Sequence, residues 1–320
     1  MKKKIIFVTG TRADFGKIKS LIKRTQSNNQ FEAKLFVTGM HLYKKYGYTY
    51  NEIVLSGINK IYKHKKINNY NKIEKNFSSC YNKFNEFIKK EKPDLVVVHG
   101  DRVEALACAI ATIFHNTLLA HIEGGEVSGS IDESIRHSIS KLAQIHFVSN
   151  MLSKKRLIQM GENKNKIFII GSPETDYLKK SYKYDISKIK KIYNISFKKF
   201  SIFIFHSSYN ELKNLDKKIK IIIRALKESK KNYIIIFPNN DTGSDIILKN
   251  IKKLKGNKKF IIFPSIRFEY FINLLKKSEF IIGNSSSGVR EAPALGIKSI
   301  NIGTRQYQRS NAPQITNCNY

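Results

Sequence analysis

The sequence predicts an α/β protein built from two doubly wound parallel sheets, in two domains that face each other across a cleft. Three observations predict it. Short, continuous apolar runs recur along the 320 residues, stretches of helical period and length separate most of them, and a polar cluster, usually with glycine, follows nearly every run directly. Runs apolar at every position suit strands buried on both faces, and strands alternating with helices imply βαβ units and a parallel sheet. A chain of this length can bury the cores of two medium domains.

The first series of strands is IIFVTG from Ile5, AKLFVTG from Ala33, DLVVVHGD from Asp94, LLAHIEGGE from Leu118, IHFVSN from Ile145 and IFIIGSP from Ile167. The rhythm breaks after Glu174, where the chain turns polar and lysine-rich. Residues 1–175 therefore read as one Rossmann-like domain and 176–199 as a linker. A second series follows: SIFIFHSS from Ser201, NYIIIFPNND from Asn232, KFIIFPS from Lys259, EFIIGNSSSG from Glu279 and KSINIGTRQ from Lys298. It makes 200–320 a second Rossmann-like domain. Open parallel sheets bind ligands beyond the carboxyl ends of their strands, so both sets of polar clusters are expected to point into one cleft. Paired domains of this kind are common among enzymes that handle sugar nucleotides, although architecture alone does not establish function.

Composition narrows the classes. The formal charge of +33 is spread along the chain, with no basic run interleaved with aromatics, and reads as a solvated surface instead of a nucleic-acid face. Cys80, Cys108 and Cys318 are odd in number and widely spaced, which excludes a disulfide framework or zinc cluster and favours a reducing cytoplasm. The opening Lys2-Lys3-Lys4 imitates a signal peptide, but its apolar run stops at Thr9-Gly10; no window is long enough to span a bilayer.

Four motifs carry chemistry. Thr9 to Lys17, TGTRADFGK, joins a strand to a helix with Arg12 and Lys17 near the helix start, a place where free N–H groups, the helix dipole and cations favour phosphate. It is neither a Walker loop nor the Rossmann glycine pattern, and an ordinary turn with surface cations explains it equally. In His99-Gly100-Asp101-Arg102, Asp101 is an N-cap or a base. From His121 to His137 the chain crowds acids, glycines and Arg136 together. Gly124 and Gly125 would let the backbone pass close to a ligand, and Ser130 with Glu133 reads as a capping box. Helix initiation also accounts for Asp132, but not for Glu123 or Glu126; Arg136, four residues on, can orient or neutralise Asp132. In Gly283 to Glu291, GNSSSGVRE, the Ser285 and Ser286 hydroxyls suit a diphosphate or form a serine-rich cap, and Glu291 suits a ribose diol. His206 is a phosphate or proton-transfer partner or a hydrogen-bonded core histidine, and Arg305 with Arg309 could meet phosphate.

These segments, together with VTGMHLYKKYGYTY, IIGSPETD, FPNNDTGSD and PSIRFEYFINLLK, resemble the hydrolysing UDP-N-acetylglucosamine 2-epimerases of bacterial sialic acid synthesis, almost from end to end. The non-hydrolysing relatives carry GTRPE and PEE-x-N-R where this chain has GTRAD and DESIRH. The resemblance implies a glycosyltransferase-B-like fold, neither metal nor cofactor, a homodimer, and conversion of UDP-N-acetylglucosamine (UDP-GlcNAc) and water to N-acetylmannosamine and UDP. It assigns proton transfer to Asp101, Glu123 and Asp132, and nucleotide contacts to Arg12, Lys17, His206, Ser285, Ser286 and Glu291, with Phe271 near the base. The family usually continues past GTRQ, so the C-terminal domain is expected to lack its final helices. Two alternatives remain: the same reaction on a GDP-linked or UDP-diacetamido sugar, or an inactive nucleotide-sugar-binding remnant.

Overall fold

The computed structural model describes residues 1–64, 73–173, 178 and 184–320. Contacts divide the chain into two units, Met1–Glu126 with Asp132–Thr175, and Val127–Ile131 with Asp176–Tyr320. The boundary expected after residue 175 and the opening of the expected linker lie outside the described residues.

Among the described residues, unit 1 holds a seven-stranded sheet in the order β3-β2-β1-β4-β5-β6-β7. Its strands are β1 (Lys3–Thr9), β2 (Phe31–Val37), β3 (Ile61–Lys63), β4 (Leu95–His99), β5 (Leu118–Ile122), β6 (Ile145–Val148) and β7 (Ile167–Ile169), all parallel. The connecting helices are α1 (Arg12–Gln26), α2 (Tyr50–Val54), α3 (Ile73–Glu91), α4 (Val103–Phe114), α5 (Ile131–Leu142) and α6 (Met151–Gln159). Successive strand side chains face opposite ways. Ile6 and Val8 pack with Val96, Val98, Phe84 and Ile88, whereas Phe7 packs on the other face with Leu35, Val97, Ile18 and Ile22. Burial on both faces is why these strands are apolar throughout.

Unit 2 has the six-stranded order β10-β9-β8-β11-β12-β13, with β8 (Ser201–Ile204), β9 (Tyr233–Ile236), β10 (Phe260–Phe263), β11 (Ile281–Gly283), β12 (Ser299–Ile302) and β13 (Ile315–Cys318). The helix Leu215–Glu228 buries Leu215, Ile219, Ile222, Ile223 and Leu226, a helical stripe that covers one face of the sheet. The Gly129 N–H donates to the Arg305 carbonyl at 3.3 Å, so residues 127–131 pack as part of this unit. The described part of the 176–199 stretch is not a bare connector: it contains the helix Ile186–Ile192, and Ile189, Ile195 and Phe197 are buried in the unit 2 core. Lys188, Lys191, Lys198 and Lys199 are exposed and mask three widely spaced anchors.

Both sheets reverse direction between their first and fourth strands, β1/β4 and β8/β11. Such switch points open a crevice at the strands' carboxyl ends, which is where the motifs fall.

Candidate active site

Glu123 follows the last residue of β5 and stands in the left-handed region, φ 64°. A non-glycine residue there is strained by roughly 1 kcal/mol or more, and the Glu123 N–H holds the turn by donating to the Phe147 carbonyl at 2.8 Å. The side chain is 3% exposed. A buried carboxylate needs compensation, and Lys17 supplies it from α1, with Nζ 3.2 Å from Oε2 and 3.4 Å from Oε1. His99 ends β4 and brings Nε2 to 3.2 Å from the same Oε2, while the Ser172 hydroxyl donates to Oε1 at 3.3 Å. Lys17, expected at a nucleotide diphosphate, is thus placed against a carboxylate.

Asp101 lies one residue before the N-cap position of α4, which Arg102 occupies, so the capping alternative does not account for it. Its carboxylate accepts from Arg136 Nη2. Arg136 is 1% exposed, and Nη1 donates to the Glu126 carbonyl at 2.8 Å. Burial works against the guanidinium charge; Asp101, Glu126 and Asp132 more than offset it and raise its pKa. Arg136 thereby ties the turn after β4 to the loop after β5, with Asp132 in the first turn of α5 contributing at longer range. The Glu126 carboxylate itself accepts from Ser149 at 2.8 Å.

The adjacent glycines serve packing, contrary to the expectation that they open a path for ligand. A Cβ on Gly124 would sit 2.6 Å from Ser140 Oγ and 2.9 Å from His121 Nδ1, and one on Gly125 would meet the Ser153 carbonyl. His121 Nε2 is 2.7 Å from the Gly100 carbonyl, which can only accept; Nε2 therefore carries the proton, and Nδ1 accepts from Ser140 at 3.0 Å. Burial pushes this ring's pKa down to about 3.

The turn from Thr9 satisfies its own donors. Thr11 caps α1, and the Asp14 carboxylate accepts from the N–H groups of Gly10 at 3.0 Å and Thr11 at 3.1 Å. Arg12 donates to Glu52 of α2. Both groups expected to meet an anion already face carboxylates.

In unit 2 the ends of β8 and β11 are locked by a reciprocal pair. The His206 N–H donates to Asn284 Oδ1 at 2.7 Å, and Asn284 Nδ2 donates to the His206 carbonyl at 2.8 Å. His206 Nδ1 accepts from the Asn239 N–H at 3.0 Å, so the neutral ring carries its proton on Nε2. Ser285 caps the short helix Ser286–Val289, accepting from the Ser287 N–H at 3.3 Å. The chain kinks at Arg290 before Glu291 starts another short helix, and Glu291 is buried. Arg305 Nη1 donates to the Asn284 carbonyl at 3.1 Å. Phe271 is buried in the core with Phe200 and Ile281.

Sequence reasoning missed His99 and Ser172 as neighbours of Glu123, and Asn284 as the centre of the unit 2 turn. The parallel register that sets His99 beside Ile122 is the signal: once β4 and β5 adjoin, residues ending one strand neighbour those leaving the next. Among the described residues, no three His, Cys, Asp or Glu side chains converge to hold a metal, and no helix is long and apolar enough to cross a membrane.

Comparison with known proteins gives the same location in protein space from sequence and from structure. The UDP-N-acetylglucosamine 2-epimerase of Neisseria meningitidis serogroup B is 42% identical over 318 residues, 99% of this chain and 84% of that protein. The UDP-N,N'-diacetylbacillosamine 2-epimerase (hydrolyzing) of Legionella pneumophila is 35% identical, over 98% of this chain and 85% of that protein. The crystal structure of UDP-GlcNAc 2-epimerase from Neisseria meningitidis bound to UDP-GlcNAc superposes with a TM-score of 0.79 at 21% identity, covering 94% of this chain and 84% of that one. With the UDP-N-acetylglucosamine 2-epimerase profile matching residues 23–320, the chain belongs to that family.

Proposed function

We infer that the protein is a hydrolysing UDP-GlcNAc 2-epimerase, converting UDP-GlcNAc and water to N-acetylmannosamine and UDP. The observation that carries this reading is Glu123, a strained and buried carboxylate at a strand end, held against a lysine and a histidine. Buried acids held against specific charge partners at strand ends mark functional sites. In the reaction, the C1–O bond breaks with its electron pair leaving on UDP, a base removes the C2 proton, and a C1–C2 double bond results. Water then adds at C1 while an acid returns a proton to the opposite face of C2, inverting it. Asp101, Glu123 and Asp132 are the groups assigned to these transfers, each worth roughly 10²–10⁴ in rate. Arg136 orients Asp101, and Lys17 holds the Glu123 carboxylate in place. Nucleotide contacts fall to Arg12 and, in unit 2, to His206, Ser285, Ser286, Glu291 and Arg305; N–H groups and cations placed in advance stabilise the departing diphosphate. Burial of Phe271 restricts it to shaping that region from beneath. The product suits sialic acid synthesis.

The 35% identity to a diacetylbacillosamine epimerase favours one second reading, the same chemistry on a UDP-diacetamido sugar. Proton NMR in D₂O with each nucleotide sugar decides. Free N-acetylmannosamine carrying deuterium at C2, with UDP, is the expected result. Release of a diacetamido sugar alone would select the second reading, and a 2-epimer still linked to UDP would remove the hydrolytic step.

A further inference from the structure

His99 has no part in the reaction as derived so far. It is 8% exposed, and among the described residues its buried Nε2 has no hydrogen-bond partner. Leaving such a nitrogen unbonded is costly. Its close polar neighbour is Glu123 Oε2 at 3.2 Å. Lys17 bridges both oxygens of that carboxylate and Ser172 reaches Oε1, while Lys17 and His99 flank Oε2.

We propose that His99 is a positioning residue for Glu123, orienting Oε2 and favouring the ionised carboxylate. This rests on the reading of Glu123 as a proton-transfer group. Cationic and N–H-bearing groups set beside a carboxylate oxygen favour the anion. Charged and titratable groups among the described residues face this pair from α1 and β5. Lys17 faces Glu123 from α1; Asp14, also on α1, interacts with His99; and His121 on β5 feels its charge. His121 stays neutral and adds no charge.

The test is a ¹³C NMR titration of glutamate carboxyls in the ligand-free full chain, with the Glu123 signal identified by its loss in Glu123→Gln. In His99→Asn the amide falls short of Oε2, and in His99→Phe the ring keeps its volume without nitrogen. Both are expected to raise the Glu123 midpoint by about one pH unit; His99→Gln, which keeps an N–H near the Nε2 position, restores it. The acidic limb of the kcat profile should move with it, about tenfold in kcat one unit below the midpoint, at unchanged KM. An unmoved Glu123 midpoint in whichever loss variant folds overturns the proposal, as does a rise in KM with an unmoved limb. The titration requires no turnover. Absent hydrolysis by the wild type would therefore count against the reaction and leave the pairing to be judged on the NMR alone.

Discussion

His41, His64 and His121 are held in unit 1 as neutral rings. Burial, then Arg12, pushes His41 down to about 3; burial, then Lys83, takes His64 to about 4; and His121 lies at about 3 through burial. Hydroxyls occupy their nitrogens, Thr9 and Thr49 on His41 and Thr38 on His64. In the unfolded chain each ring protonates near 6.5. Between that value and the folded ones the unfolded chain binds protons that the fold refuses, so this stability is complete above pH 6.5 and is lost as pH falls. The loss is on the order of 2 kcal/mol per ring at pH 5. Asp14, raised by burial, has the opposite sign, since the fold holds a proton above the ordinary carboxylate value. Urea unfolding at pH 7.5 and 5.0 should show a clearly lower midpoint at the acid pH; equal midpoints would mean that the folded rings protonate too. Of these residues the sequence showed only identities. Glu123 stood out because neither turn nor cap explained it, whereas its partners Lys17 and His99 come from α1 and β4, more than twenty residues away in sequence, and became visible only with the sheet order.

The turn between β5 and α5 extends the same logic to an element. His121 at the strand, Gly124 after it and Ser140 on the helix form one packed contact. Gly124→Ala forces a methyl against the Ser140 hydroxyl, and overpacking of this kind costs about 1–3 kcal/mol. Removing the hydroxyl as well, in Gly124→Ala/Ser140→Ala, should recover part of that loss. A double-mutant cycle by urea unfolding is therefore expected to be non-additive by about 1 kcal/mol; strict additivity would show that the turn relaxes elsewhere. At this scale the sequence was legible where burial was two-sided. Eleven apolar runs became strands, while β3 and β13, at sheet edges, were missed. IYK and ITNC are short and half exposed, so no apolar run announces them. The helix Ile186–Ile192 was missed for a related reason: only Ile189 of its seven residues is buried.

For the whole molecule, charge is the dominant uncompensated quantity. With 58 Lys and Arg against 25 Asp and Glu, pairing every acid with one cation would still leave the net +33. Several acids are also committed inside the fold, Glu123 to Lys17 and Asp101 to Arg136, and so do little for the surface. A compact chain concentrates the remaining cations more densely than an unfolded one, so self-repulsion opposes folding. Salt acts on that term. The Debye length falls from about 30 Å at 0.01 M to about 8 Å at 0.15 M, below the spacing over which dispersed surface lysines interact. Thermal unfolding at pH 7.5 should therefore shift upward as NaCl rises through this interval and then level off. Each kcal/mol of relieved repulsion corresponds to about 2–4 °C for domains of this size. The pH is chosen so that His41, His64 and His121 contribute nothing to the change. A midpoint that stays constant or falls would mean that the lysines are spaced too widely, or paired too well, for repulsion to limit the fold.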